Sequence, residues 1–240
     1  MRGRWTGGNP VAAHEAPVII ASDEGDACVT SVVRSDNELQ TLIMNPDLHP
    51  HPLDGFHQVF TTIVTSPELL SGDLFERLWA LRPAEPQVIR KFGRNFVLRR
   101  QQKAFGRDYA FSDTVSKAAP IPAELSPFLA WAQSTVDSRL NGLLVNWYDG
   151  AKGDEIGPHL DSETGLLPGS PIVTISLGDP RIFRMDRVAE KLRCDFTVEN
   201  GSVIIIPWET NRAWKHSVPH RARDTGCRIS VTLRAFSDEA

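Results

Sequence analysis

The second half of the chain consists of short apolar segments with the two-residue periodicity of β-strands. The segments are GLLVNWY, PIVTISLG, RIFRM, DFTVE, SVIIIPW and RISVTLRAF. They are rich in β-branched or aromatic residues, and Gly, Pro, Asp or Asn bounds them, as is typical of strands. Strands this short and closely spaced favour a sandwich, jelly roll or barrel over a βαβ fold. The pattern therefore predicts a mainly β fold with supporting helices.

The first half contains the helical patterns. Ser66 is a suitable N-cap and Pro67 suits a first helical turn, so a helix is predicted to begin there. Its apolar stripe at helical spacing consists of Leu69, Leu70, Leu74, Leu78 and Leu81. A second, proline-started helix is predicted over 120–140, and strand pieces over 56–64 and 88–112. Residues 1–54 hold no extended pattern, so we expect an irregular N-terminal extension.

Composition narrows the class of protein. The chain has 240 residues, of which 41% are hydrophobic and 23% charged, values typical of globular domains. It has no apolar run of the roughly 20 residues that a membrane helix needs, and no apolar segment follows its basic start. Its three cysteines are widely spaced, in neither a zinc nor a disulfide pattern. We therefore expect a cytoplasmic protein without a membrane partner, and we favour a monomer.

Charge is distributed unevenly along the chain. The net charge of −4 argues against a protein that coats nucleic acid. Residues 90–107, however, contain no Asp or Glu. This basic run contains Arg90, Lys91, Arg94, Arg99, Arg100, Lys103 and Arg107. It is either a solvated basic face or a surface that contacts phosphates.

His159 and Asp161 are separated by one residue in the stretch GPHLDSE. Residues two apart share one face of a strand, so an imidazole and a carboxylate can point at one ion. The segment WKHSVPH offers His216 or His220 as a third ligand, and strand register with its neighbours favours His216. Two histidines and one carboxylate are the ligand set of non-haem Fe(II) oxygenases. The competing interpretation is a surface turn and an unrelated histidine.

The segment RISVTLR places four polar side chains on one face of an apolar strand. They are Arg228, Ser230, Thr232 and Arg234. Such a face could meet water, or it could line a cavity that holds an anion. Arginine binds carboxylates through two parallel hydrogen bonds, and two arginines suit a dicarboxylate.

Together these motifs resemble those of the AlkB family of Fe(II)- and 2-oxoglutarate-dependent dioxygenases. The family pattern N-x-Y, H-x-D, a distal His and R-x-N-x-T-x-R reads here as Asn146 to Tyr148, His159 to Asp161, His216, and Arg228 to Arg234. The resemblance extends over about 104–236. It implies a double-stranded β-helix (jelly-roll) core over about 141–236, within a single dioxygenase domain over 55–240. It also implies a substrate lid over about 88–118.

The resemblance also implies the role of each residue. His159, Asp161 and His216 would bind Fe(II). The residues implied to bind 2-oxoglutarate are Asn146, Tyr148, Arg228, Ser230 and Arg234. Those implied to contact substrate are Tyr109, Glu163, Arg99 and Arg100. Glu163 comes two residues after Asp161, so it would share the face of Asp161 if the strand continues. The chain departs from the pattern at Ser230, where the family usually has asparagine, and serine has one hydrogen-bond donor fewer.

The function implied is oxidative demethylation of N-alkylated bases in DNA or RNA, such as occurs in DNA repair. O2 would be the oxidant, and the nucleic acid would be single-stranded or would have its target base flipped out. Two alternatives stay open, the first because of the acidic net charge and the weakly matched first half of the chain. One is the same chemistry on a protein side chain, lipid or small molecule. The other is a non-catalytic binding module on the same fold.

Overall fold

The computed structural model describes residues 47–91, 93–111 and 114–238. The predicted extension lies outside the described residues as far as residue 46. The strands are β1 (His49–Pro52), β2 (Gln58–Ile63), β3 (Val88–Lys91), β4 (Arg94–Val97), β5 (Gln101–Phe105), β6 (Tyr109–Phe111), β7 (Thr114–Ser116), β8 (Gly142–Asp149), β9 (Ile156–His159), β10 (Ile172–Gly178), β11 (Arg181–Arg187), β12 (Leu192–Val198), β13 (Ser202–Ile206), β14 (Lys215–Val218) and β15 (Cys227–Arg234). The α-helices are α1 (Gly72–Ala80), α2 (Ser126–Thr135) and α3 (Trp208–Ala213).

Two antiparallel sheets form the body of the protein. A seven-stranded sheet has the order β1-β2-β13-β10-β15-β8-β5, and a four-stranded sheet has the order β12-β11-β14-β9. Neighbouring strands within each sheet are mostly far apart in sequence, as in a jelly roll. The predicted mainly β fold with supporting helices and a jelly-roll core is confirmed. Within the described ranges, none of the helices combines the length and apolar character needed to cross a lipid bilayer.

The sheet begins earlier than the sequence predicted. β1 lies inside the predicted extension, where His51 pairs with Val59 of β2. β1 was not predicted from the sequence because two histidines alternate in it with two prolines, which are not typical of strands. Proline is tolerated there because β1 is an edge strand, and one side of its backbone has no ladder to complete. The predicted end of the extension at residue 54 therefore lies in the turn between β1 and β2.

The helices α1 and α2 cover the outer face of the seven-stranded sheet. Leu78 of α1 and Phe128 of α2 pack in one buried cluster with Trp147, Val173 and Val231 of the sheet. The indole of Trp147 also donates a hydrogen bond to the carbonyl of Leu78 at 2.9 Å, which fixes α1 on the sheet. The two helices therefore bury the central part of this face.

The start of α1 differs from the prediction. Ser71, rather than Ser66, is the N-cap, and its side chain accepts a hydrogen bond from the Leu74 amide at 3.2 Å. Residues 67–70 form a separate turn instead of the first helical turn. Both serines suit an N-cap by composition. Ser71 holds the position because its hydroxyl satisfies a free amide of the first turn.

The space between the sheets holds a second apolar cluster. Tyr148 and Ile204 of the large sheet pack there with Phe183 and Met185 of the small sheet and with Trp214, which directly precedes β14. Because side chains alternate along a strand, Trp147 and Tyr148 point to opposite faces of β8. The inner face thus carries Tyr148 toward the region where the polar side chains of β15 also point.

Asp54 ties the turn between β1 and β2 to both sheets. Its carboxylate accepts hydrogen bonds from the Phe56 and His57 amides, from the Trp214 indole at 3.0 Å and from Arg187 at 3.0 Å. Burial raises the pKa of Asp54, but the hydrogen bonds outweigh burial and lower the pKa from 3.8 to about 2. The ionised carboxylate is therefore part of the folded state.

We expect Asp54→Asn to destabilise the protein by about 2 kcal/mol at pH 7, from the size of the pKa shift. Since the folded pKa is depressed, the stabilisation is complete above about pH 4 and is lost as the pH falls toward 2. Urea unfolding of the metal-free protein between pH 7 and pH 2.5 would measure the difference. Exposed Glu85→Gln is the control, and a deficit for Asp54→Asn that is constant with pH would contradict this account.

Candidate metal and cosubstrate site

His159 and His216 are direct cross-strand neighbours. They face each other in the β9–β14 pair, and their ring centroids lie 4.2 Å apart. His220 is exposed and lies beyond the end of β14. The structure therefore brings His216, the histidine favoured by strand register, next to His159.

Asp161 completes a three-residue cluster. Its Oδ1 lies 3.5 Å from Nε2 of His159 and 3.7 Å from Nε2 of His216. One ligand atom from each of the three residues lies within 4.8 Å of the others, and among the described residues this is the His, Cys, Asp and Glu group that could hold a metal ion. Two imidazole nitrogens and one carboxylate oxygen that converge in this way fit Fe(II).

The ring nitrogens have complementary roles. Nδ1 of His159 lies 2.9 Å from the Gly157 carbonyl, so a proton on Nδ1 leaves Nε2 free to bind metal. The ring of His216 is buried and stacks on Phe183 with centroids 5.6 Å apart. Burial and the neighbouring His159 lower the pKa of His216 from 6.5 to about 3, so His216 is a neutral imidazole at physiological pH. Metal binding requires the neutral form.

Both oxygens of the Asp161 carboxylate accept hydrogen bonds from buried side chains. Arg234 donates two hydrogen bonds to Oδ2, one of them from Nε at 3.0 Å, and the Tyr109 hydroxyl donates to Oδ1 at 3.2 Å. The side-chain oxygen of Asn211 accepts from the Asp161 amide at 3.0 Å. Burial raises the pKa of Asp161, but Arg234 and the two histidines outweigh burial and hold the pKa well below its usual range. The carboxylate is thus ionised and oriented with Oδ1 toward the histidines.

The polar face of β15 lies beside this cluster, as the alternation in the sequence predicted. Ser230, Thr232 and Arg234 line a cavity of about 370 Å³ together with the three clustered residues. Arg228, on the same face, is almost fully buried under the ring of Tyr148, with 5.2 Å from its guanidinium carbon to the ring centroid. The strand that carries the two arginines is therefore next to the metal-binding cluster.

Arg228 fits an anionic cosubstrate. Its Nη2 donates to Ser176 at 2.8 Å. Its Nε and Nη1 are buried and have no hydrogen-bond partner among the described residues. A buried cation with two free donors matches the distal carboxylate of 2-oxoglutarate.

Asn146 is held from the neighbouring strand. Its side-chain oxygen accepts a hydrogen bond from Nε of Arg100 at 2.8 Å, and Nη2 of Arg100 donates to Gln102 at 2.8 Å. Arg100 is buried and lines the cavity. Both of these hydrogen-bond acceptors, Asn146 and Gln102, are neutral amides. Burial lowers the pKa of Arg100. Ser230 pairs with Asn146 across the β8–β15 ladder, so the position where the chain departs from the family pattern lies in this network.

The structure separates the four residues that were predicted to contact substrate. Tyr109 and Arg100 line the cavity, while Arg99 is exposed and forms an ion pair with Glu155 at 2.8 Å. Glu163 is half-exposed and forms an ion pair with Arg212 at 3.2 Å, outside the cavity lining. The face assigned to Glu163 assumed that the strand of His159 continues, and this assumption is wrong because β9 ends at His159. The substrate roles of the four stay predictions.

Two polar residues of the site were missed in the sequence. Asn211 is buried on α3, where its amide bridges the amide and the carbonyl of Asp161, and no spacing in the sequence indicates this. Gln102 could not be told from Gln101 and Lys103 in the sequence, because the segment that becomes β5 is polar at successive positions. In the structure, Arg100, Gln102 and Ala104 alternate with more exposed residues. That alternation places both polar residues on the inner face.

Comparison with known proteins agrees with the geometry. Residues 71–234 match the sequence profile of the 2OG-Fe(II) oxygenase superfamily. The "DNA oxidative demethylase ALKBH2" of Mus musculus is 32% identical over 161 residues, 61% of this chain and 65% of that protein. The Homo sapiens protein of the same name is 28% identical over 158 residues, 61% of this chain and 60% of that protein. The match thus spans less than two thirds of either relative.

A solved structure supports the fold. The protein described as "The structure of OsALKBH1" superposes with a TM-score of 0.52 at 16% identity, covering 78% of this chain and all of that one. At this identity the likeness concerns the fold alone. From the profile match and the cluster of two histidines and one carboxylate, we conclude that this chain belongs to the 2OG-Fe(II) oxygenase superfamily, and the similarity to the two ALKBH2 proteins agrees with its resemblance to the AlkB family.

Proposed function

We propose that the chain is an Fe(II)- and 2-oxoglutarate-dependent dioxygenase that oxidatively demethylates N-alkylated bases in nucleic acid. The observation that carries this proposal is the placement of His159, Asp161 and His216 in one cavity with the arginine-bearing face of β15. The relatives named as DNA oxidative demethylases support the substrate class.

Each part of the site has a role in this reaction. His159, Asp161 and His216 would hold the iron, and Arg228 and Tyr148 would bind 2-oxoglutarate. Bound Fe(II) and 2-oxoglutarate would supply the oxidation of a substrate C–H bond by O2, with 2-oxoglutarate converted to succinate and CO2. A hydroxylated N-methyl group would then leave the base nitrogen as formaldehyde.

The remaining site residues orient and shield the reacting groups. Arg234 fixes the orientation of the Asp161 carboxylate. Apolar side chains of the cavity wall, among them Leu98, Phe111 and Leu144, exclude water from the reacting groups.

The cavity determines how a base could be reached. A volume of about 370 Å³ lies within the range of small-molecule sites, so it can take one nucleobase and not a duplex. A base in duplex DNA would therefore have to be flipped out of the stack, whereas a single strand avoids most of that cost. We accordingly propose single-stranded nucleic acid as the better substrate.

The hairpin formed by β3 and β4 supports a nucleic-acid partner. It is a separate two-stranded sheet whose residues Val88, Phe96 and Val97 are about half exposed, at 53%, 45% and 61%. Arg90 and Arg94 are also exposed on it, while Ile89 and the following Leu98 reach the cavity wall. Exposed apolar and cationic side chains together suit contact with bases and phosphates.

We expect Arg90→Gln and Arg94→Gln each to weaken binding of a methylated single-stranded DNA, with little dependence on its sequence. Each removed phosphate contact should reduce the slope of log K against log salt by about 0.7 for single strands. Fluorescence anisotropy at four salt concentrations would measure this. Lys215→Gln is the control, because Lys215 is exposed next to His216 in the strand and points to the opposite face. Equal slopes for all four proteins would exclude the hairpin from phosphate contact.

The proposed function is tested by formaldehyde release. Protein with Fe(II), ascorbate and 2-oxoglutarate would be given oligonucleotides that carry one N-methylated base, as single-stranded DNA, duplex DNA or RNA. We expect release of formaldehyde, fastest from a single strand, and an equal amount of succinate. Succinate without formaldehyde from any oligonucleotide would favour a protein or small-molecule substrate. If neither succinate nor metal-dependent 2-oxoglutarate binding is found, the chain is a binding module.

A further inference from the structure

Tyr109 connects the predicted substrate lid to the metal-binding cluster. It begins β6, which pairs only with β7 in a two-stranded sheet of the described residues. Its hydroxyl donates to Oδ1 of Asp161 at 3.2 Å, and Oδ1 is the oxygen that faces both histidines. The sequence assigned Tyr109 to substrate, and nothing in the motif indicated a contact with a metal ligand.

The ring of Tyr109 makes a second contact with the same unit. The guanidinium carbon of Arg234 lies 4.4 Å from the ring centroid, in a cation–π arrangement. Arg234 in turn holds the other oxygen of Asp161. Tyr109 is 5% exposed, and burial raises the pKa of its hydroxyl above its usual range. The carboxylate is therefore positioned between Arg234 of β15 and a side chain of the lid.

The same hairpin also faces the cavity. Phe111, two residues after Tyr109, stacks on the Tyr109 ring with centroids 5.6 Å apart, and both side chains line the cavity. Any ligand that displaces these rings must also move a hydrogen-bond donor of Asp161. Binding in the cavity and the geometry of the metal ligand are thus linked through one residue.

A second contact between lid and metal-binding segment is weaker. Arg99, just before β5, pairs with Glu155, just before β9, while the Glu155 carboxylate also accepts from the His220 amide at 3.2 Å. The side chain of Arg99 is 62% exposed, and ion pairs at such positions contribute little. Of these two contacts, the buried one made by Tyr109 is therefore the better candidate for coupling the lid to the metal cluster.

We propose that Tyr109 is a positioning residue for Asp161, which couples the β6–β7 hairpin to the metal centre. Metal binding fixes the carboxylate, and through Tyr109 it fixes the hairpin that lines the substrate cavity. Conversely, the hairpin holds Oδ1 in the orientation that the metal needs. This role rests on the proposed iron site, but it is independent of which substrate the enzyme oxidises.

The test is Tyr109→Phe, which removes the hydroxyl and keeps the ring. Mn(II), which prefers the same nitrogen and oxygen ligands but resists oxidation, would be titrated into the purified protein by calorimetry. We expect the Mn(II) affinity to fall by about 10-fold, the size typical of a lost partner of a metal ligand. Hydrogen exchange of β6 and β7, residues 109–111 and 114–116, would be followed in parallel. Mn(II) should slow exchange there in the wild type, and not in Tyr109→Phe.

Two control variants separate this role from a general effect on the lid. Val115→Ala changes an exposed residue of β7 and should leave the Mn(II) affinity unchanged. Glu155→Gln breaks the outer ion pair and should weaken Mn(II) binding less than fivefold. Thermal unfolding without metal would verify that Tyr109→Phe is folded. The proposal would be overturned if Tyr109→Phe bound Mn(II) as tightly as the wild type does. It would also be overturned if Mn(II) did not change hydrogen exchange of the hairpin in the wild type. A wild type that binds no Mn(II) would instead refute the proposed iron site.

Discussion

Replacing Asp161 with alanine is expected to reduce succinate formation to the level of a metal-free control. Asp161 provides the carboxylate oxygen of the cluster, which lies 3.5 and 3.7 Å from the two imidazole nitrogens. Without it, only the two imidazoles remain to hold a divalent cation, beside the uncompensated charge of Arg234. Succinate would be measured with Fe(II), ascorbate and O2, with and without a methylated oligonucleotide. Retained turnover would remove Asp161 from the metal-binding set.

The same substitution should also destabilise the metal-free protein. Arg234 and Asp161 form an ion pair whose side chains are 4% and 3% exposed. Removing one partner of a buried pair leaves an uncompensated charge and typically costs about 3–5 kcal/mol. The double variant Asp161→Ala/Arg234→Met should recover most of this stability in urea unfolding, yet remain inactive. If the single and double variants unfold at the same urea concentration, the charge of Arg234 is relieved by another group.

Much of this site could be predicted because strand alternation is a strong local rule. The rule placed Arg228, Ser230, Thr232 and Arg234 on one face of β15. In the structure Ser230, Thr232 and Arg234 line the cavity and Arg228 lies against the ring of Tyr148, while Ile229 and Val231 pack under the helices. It also made His216 the better third ligand than His220, and His216 is the one opposite His159. Where a strand is regular, sequence alone orients each side chain.

The prediction failed where a strand ends or where contacts come from distant segments. Beyond His159 the amide of Asp161 bonds to the side chain of Asn211 instead of a neighbouring strand, so Glu163 leaves the predicted face. The basic run is divided in a similar way. Arg94 is exposed on a hairpin, whereas Arg100 is buried beside Asn146. Net charge along a segment does not show which side chains face inward, because this depends on the register of β5 with β8.

Arg228→Met is expected to weaken 2-oxoglutarate binding by at least about 30-fold, since truncating one partner of a buried charge pair costs about 2–5 kcal/mol. KM for 2-oxoglutarate should rise while kcat changes little, because the distal carboxylate is bound equally before and during the reaction. Steady-state succinate assays over a range of 2-oxoglutarate concentrations would show this. Arg228→Lys is the matched variant. It keeps the charge but loses the paired donors, so its KM should lie between the two.

Stability gives this prediction a second, independent measurement. In the absence of 2-oxoglutarate, Arg228 is buried with Nε and Nη1 unpartnered among the described residues, an arrangement that disfavours the folded state. Arg228→Met should therefore be at least as stable as the wild type without 2-oxoglutarate, although it is the poorer enzyme. Adding 2-oxoglutarate and Mn(II) should raise the Tm of the wild type well above that of the variant. A variant that is less stable without 2-oxoglutarate would show that Arg228 serves the fold, and its effect on KM could then no longer be assigned to the lost carboxylate contact.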